Sequence, residues 1–178
     1  MTISVNFGAR ANLRFLLSHP YHFIALGFGA GLAPVAPGTF GTLLALPIFW
    51  VLSPRLDPTW LLIALGFMYV GGIWVCDRTA RDLGVPDHKA IVWDEVVAFL
   101  FVLFFTPPAP MWQALAFLLF RLLDILKPGP IHYVETQFRG GFGVMVDDLM
   151  AAFFTLICLA LFKLLAPAIG GWLGFGAV

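Results

Sequence analysis

Two pairs of adjacent carboxylates hold the chemistry this chain can do. Asp94 and Glu95 open the apolar run VVAFLFVLFF, and Asp147 and Asp148 open a second, LMAAFFTLICLALF. A charged side chain near the centre of a membrane helix costs roughly 3 kcal/mol, and neighbouring carboxylates repel, so paired acids at two helix mouths call for a compensating cation. Hard carboxylate oxygens with room left for water or phosphate suit Mg2+, and the lack of a His or Cys cluster argues against zinc. N-terminal capping, worth roughly 0.3–1 kcal/mol, accounts for one acid at each mouth but does not require two. Asp87 and His88 lie about two helical turns before the first pair. Asp87 could orient a water, and His88 could protonate a leaving alkoxide or contact phosphate, against a plain solvated-loop role for the lone histidine.

Cationic and glycine-rich stretches offer places for an anion. In FRLLDILKPGPIH, Arg121, Asp124 and Lys127 are three residues apart and fall along one side of a helix that Pro128 and Pro130 end. That row could hold a phosphate between two cations, with Asp124 orienting them, orienting a water or reaching the metal; a self-satisfied charge ladder explains the spacing equally well. In GFGAGLAPVAPGTFGTLLAL, Gly38 or Thr39 stands where an apolar helix begins, so free backbone N–H groups could receive a phosphate oxygen. No GxxxxGK[ST] is present, and by spacing alone these glycines fit a packing role better.

The elements that must position these groups are membrane helices. The chain has 178 residues, 61% hydrophobic and 11% charged, which places it outside the usual range of soluble domains and predicts a single membrane-embedded domain over 1–178. Ten basic and ten acidic residues leave no excess pointing to nucleic acid. Apolar runs at Gly38–Leu52, Thr59–Cys76, Val96–Phe105, Met111–Leu126 and Leu149–Ala166 predict an all-α polytopic bundle of about four to five membrane helices, some short or broken. Only Thr59–Cys76 and Leu149–Ala166 approach the ~20 residues a straight span needs. The acid-rich loops also hold Arg10, Arg14, Arg78, Arg81, Lys89, Arg121, Lys127 and Arg139, against Arg55 and Lys163 on the other side. The positive-inside rule makes that charged face cytoplasmic, so the polar loops form the site there. Trp50, Trp60, Trp74, Trp93 and Trp112 near the run ends fit an interfacial belt, and Cys76 and Cys158 read as small buried hydrophobes.

Taken together, GLAPVAPGTFGTLLALP, DHKAIVWDE, FRLLDILKPGPI and GGFGVMVDDLMA, in that order, resemble the phosphatidylglycerophosphatase A family of bacteria, from His22 to Phe162. The resemblance implies a Mg2+-dependent hydrolase of the bacterial cytoplasmic (inner) membrane, with a phospholipid substrate. Such an enzyme would convert phosphatidylglycerophosphate to phosphatidylglycerol and inorganic phosphate. The positions matching the family's polar motifs are Thr39, Asp87, His88, Asp94, Glu95, Arg121, Asp124, Lys127, Asp147 and Asp148. The metal set expected from the residues is Asp94, Glu95, Asp147 and Asp148. No DxDxT, KxxxxxxRP with PSGH, or CDP-alcohol phosphotransferase signature occurs, so a phosphoenzyme of those kinds is not indicated. Two other readings stand beside it, a small cation transporter or channel subunit with acids along an ion path, and a non-catalytic membrane scaffold.

Overall fold

The computed structural model describes residues 11–173, apart from 87, 130, 132, 134–136 and 139. Arg10, Asp87 and Arg139 therefore lie outside the described residues. Two short helices, α1 (Leu13–Leu16) and α2 (Pro20–Ala25), lead into a 3-10 segment at Gly27–Leu32. Then come α3 (Pro37–Leu52), α4 (Pro58–Leu83), α5 (Trp93–Phe105), α6 (Pro110–Leu126) and α7 (Gly140–Leu173). Among the described residues every regular element is helical. Helices α2, α3, α4 and α6 begin on proline, whose missing N–H is an orphan at that position anyway and whose φ is preset for a helix. Gly84 ends α4 in the left-handed conformation at φ 73°.

Helix α5 is the hub, packed against α3, α4, α6 and α7. Val96, Val97, Phe99, Leu100, Val102 and Leu103 are all fully buried, as expected of a helix that is apolar all round and enclosed by protein. Enclosure explains why the run Val96–Phe105 is so short. The helix gains its first turn from Trp93, Asp94 and Glu95, which brings the first acid pair into the bundle. Trp93 is buried there, with its Nε1–H donating to the Met68 carbonyl at 3.3 Å, so it is a core residue and not part of an interfacial belt. Cys76 is buried beside Met145, as expected of a small hydrophobe.

Two helices are long and apolar enough to cross a bilayer, Pro58–Leu83 and Gly140–Leu165, each of 26 residues. At 1.5 Å per residue each reaches about 39 Å, against a hydrocarbon core of about 30 Å. Helices α4 and α7 contain the two runs singled out as longest in the sequence; α3 is a shorter apolar helix. On α4 and α7, Phe67, Val70, Trp74, Phe153, Leu161 and Leu164 are exposed large apolar side chains.

The start of α7 departs from the sequence reading. The sequence places Asp147 and Asp148 at the mouth of the last apolar helix. Instead the helix begins at Gly140, and the two aspartates sit about two turns inside it. The glycines serve packing: a Cβ on Gly141 would run into the Ile73 carbonyl oxygen and come within 2.7 Å of the Asp77 backbone nitrogen, so only glycine allows α4 and α7 to cross this closely. The Gly141 N–H donates to Asp77 Oδ1 at 3.3 Å across the same crossing. The N-terminal hairpin is tied to α4 separately. Tyr21 donates to Asp82 Oδ2 at 2.9 Å, and the buried His22 places Nε2 3.2 Å from the same oxygen. Burial holds the His22 imidazole below its ordinary pKa, in keeping with a packing role.

Candidate active site

Four helices bring their polar ends to one cavity of about 300 Å3. Helix α5 contributes Asp94 and Glu95 in its first turn. The loop before it is fixed: the Ile91 N–H donates to the His88 carbonyl at 2.8 Å, the Val92 N–H to the Ala25 carbonyl at 2.9 Å, and the Ala90 carbonyl packs on Gly31. Helix α7 contributes Asp147 and Asp148, both buried. Helix α6 contributes Arg121 and Asp124 from its last turns, and α3 contributes Gly38 at its start.

Asp94, Glu95 and Asp148 each offer a carboxylate oxygen, and those oxygens all lie within 4.8 Å of one another. Buried oxygens Asp94 Oδ1, Glu95 Oε2 and Asp148 Oδ2 have no hydrogen-bond partner among the described residues. Such an arrangement is costly for a bare protein, because each buried acceptor loses its solvation and the charges repel. The all-oxygen donor set fits a hard divalent cation and does not fit zinc. Asp147 lines the same cavity but turns to Lys127, whose Nζ lies 2.7 Å from Asp147 Oδ2.

The cations are held by acids. Arg121 Nη1 lies 2.5 Å from Asp124 Oδ2 and 3.8 Å from Glu95 Oε1, and it approaches Thr42 Oγ1 at 3.4 Å. The row expected along α6 is thus broken at its end. Lys127 is the C-cap, in the left-handed region at φ 42°, and its side chain leaves the helix for Asp147 on α7. Gly38 lies against this group: a Cβ there would displace the Glu95 Oε1 end of its carboxylate and sit 3.2 Å from Arg121 Nη1.

Of the remaining predicted residues, Thr39 is placed differently from the expectation. Its N–H donates to the Ala36 carbonyl at 3.0 Å, and it does not line the cavity. The backbone of α3 reaches the cavity through Ala36, Pro37 and Gly38. His88 also stands off the cavity wall, its Nδ1 accepting from the Ala90 N–H at 3.1 Å. Two residues escaped the sequence reading. Thr42, one turn beyond Gly38, donates to the Gly38 carbonyl at 2.9 Å and backs Arg121. Lys89 lines the cavity from the loop before α5; its signal was its place between His88 and Asp94, which reads equally well as an orientation charge.

Comparison with known proteins gives this arrangement its class. The family model described as Phosphatidylglycerophosphatase A matches residues 23–163, which contain every cavity residue named above. An Escherichia coli phosphatidylglycerophosphatase A is 42% identical over 155 residues, covering 85% of this chain and 88% of the relative. The Haemophilus influenzae protein of the same name is 41% identical over 143 residues, covering 79% and 87%. A Bacteroides thetaiotaomicron protein, named provisionally as a phosphatidylinositol-3-phosphatase, is 37% identical over 145 residues, covering 77% and 89%. No solved structure matches the chain. The chain is a phosphatase. More particularly, it belongs to the phosphatidylglycerophosphatase A family.

Proposed function

We propose that this phosphatase hydrolyses the terminal phosphomonoester of phosphatidylglycerophosphate, releasing phosphatidylglycerol and inorganic phosphate, with Mg2+ held by Asp94, Glu95 and Asp148. The observation that carries the metal assignment is the meeting within 4.8 Å of three carboxylates from two sequence-distant helices, the buried Asp94 and Asp148 and the half-buried Glu95. Five acids and three cations line the cavity, Asp94, Glu95, Asp124, Asp147 and Asp148 against Lys89, Arg121 and Lys127, so with all of them ionised the lining is two charges negative. One divalent cation would balance it.

Bound Mg2+ would neutralise the phosphomonoester and lower the pKa of a coordinated water. The protein's own groups do the rest by position. Asp124 holds the Arg121 guanidinium beside Glu95, where it can meet a phosphate oxygen without reorganising. The missing side chain of Gly38 is what lets Glu95 and Arg121 approach the start of α3 this closely. Asp124, or Asp87, would orient the attacking water. A second cavity of about 580 Å3, between the end of α4 and the start of α7, shares Val144 and Asp147 with the first and offers room for the rest of a lipid head group.

We place the site at the cytoplasmic face of the bacterial inner membrane, with α4 and α7 crossing and the shorter apolar helices completing a multi-pass bundle. The transporter reading is disfavoured by α5, which beyond Glu95 carries only apolar residues to Phe105 and marks no ion path. Purified chain in detergent micelles should release phosphate from phosphatidylglycerophosphate in Mg2+. EDTA should lower the rate by about a hundredfold or more, and added Mg2+ should restore it. Undiminished release in EDTA would remove the metal, and no release from phosphatidylglycerophosphate in Mg2+ would remove the substrate.

A further inference from the structure

The geometry points to Lys89 as the cation that captures the phosphate of the incoming substrate, a contact that rests on the phosphatase reading above and assigns a residue to it. Arg121 and Lys127 are the obvious anion contacts, yet each is already engaged, Arg121 by Asp124 at 2.5 Å and Lys127 by Asp147 at 2.7 Å. Among the described residues lining the cavity, Lys89 is the one cation with no carboxylate partner.

Its setting suits capture. The backbone on both sides is fixed, by the Ala90 N–H on His88 Nδ1 at 3.1 Å, the Ile91 N–H on the His88 carbonyl at 2.8 Å, and the close contact of Ala90 with Gly31. From that rigid base an exposed side chain extends on a flexible four-carbon stem, five residues before Asp94 and on the same cavity wall. A compact ammonium of this kind acts as a mobile point charge for phosphate, whereas an Arg held by a neighbouring acid serves as a fixed fork. With the metal balancing the excess acids, a phosphate dianion would still enter a cavity whose other cations are shared with carboxylates. Lys89 supplies positive charge not already shared.

The test separates capture from chemistry. In Lys89→Ala, KM for phosphatidylglycerophosphate should rise roughly tenfold or more, the inhibition constant for inorganic phosphate should rise in parallel, and kcat should stay within about threefold. Lys89→Arg should recover most of the loss and Lys89→Gln should not. Unchanged KM and phosphate inhibition in Lys89→Ala would overturn the assignment, as would a fall in kcat alone, or equal failure of the Arg and Gln variants. Phosphorus NMR titration of inorganic phosphate reads the same contact without turnover. A wild-type chain that binds phosphate through Lys89 yet releases none from phosphatidylglycerophosphate would therefore refute the substrate and keep the contact.

Discussion

Asp148→Asn should lower phosphate release from phosphatidylglycerophosphate by at least about a hundredfold at saturating Mg2+, because a metal that neutralises developing charge contributes several kcal/mol to the transition state. The substitution keeps the volume of a side chain that is only 4% exposed, so the packing of α7 against α4, α5 and α6 should survive. It removes one of three mutually repelling carboxylates and leaves an amide that is a poor ligand for a hard cation. The same change should raise the unfolding midpoint of the metal-free protein, since the buried acids are costly without a counter-charge. Loss of activity together with a gain in apo stability identifies a ligand. Loss of both would mark Asp148 as a structural group, and near wild-type turnover would remove it from the site.

Gly141→Ala should be among the most destabilising single methyl additions in the chain. Its Cβ would meet the Ile73 carbonyl oxygen and the Asp77 backbone nitrogen, atoms that cannot rotate away as a side chain can. Overpacking of this kind costs about 1–3 kcal/mol, and a clash with backbone belongs at the upper end or beyond. The crossing it would open is the one that sets α7, and with it Asp148, against the rest of the site. Gly66→Ala and Gly71→Ala on α4 provide the internal comparison, because a Cβ at either meets nothing within 4 Å. Helix propensity alone should make those two neutral or stabilising, by up to about 1 kcal/mol. A detergent-solubilised unfolding midpoint measured for all three variants checks the order. Equal midpoints for Gly141→Ala and Gly71→Ala would contradict the close-crossing account.

Much of the site was legible because charge is expensive beside apolar helices. Asp94, Glu95 and Asp148 could be picked from the sequence because helix capping does not require two adjacent acids at one mouth, and the fold brings all three together. The long runs around α4 and α7 were legible for the same reason, from length and apolarity alone. The start of α7 was not, because glycine has the same signature in a turn and in a close helix crossing, and only the approach of Ile73 and Asp77 to Gly141 decides between them. Nor was the direction of Lys127. Three-residue spacing places it on the Arg121 face of a continuing helix, but the helix ends at Leu126 and the left-handed cap sends the side chain to Asp147. Trp93 misled for a related reason: a tryptophan near a run end is interfacial only if the helix is at the edge of the bundle, and α5 is at its centre. Thr39 and Gly38 are adjacent, and the choice between them rests on a steric fact, the closeness of Glu95 to Gly38, that spacing does not contain.

The joint hold of Asp94, Glu95 and Asp148 on a divalent ion is tested most directly by titrating purified protein in detergent with Mn2+, an oxygen-preferring stand-in for Mg2+, and following free Mn2+ by electron paramagnetic resonance. Saturable binding that Mg2+ displaces, and that Asp94→Asn and Asp148→Asn each weaken by about tenfold or more, is the predicted result. Binding of equal strength in the wild type and both variants would show that the three carboxylates do not share the ion.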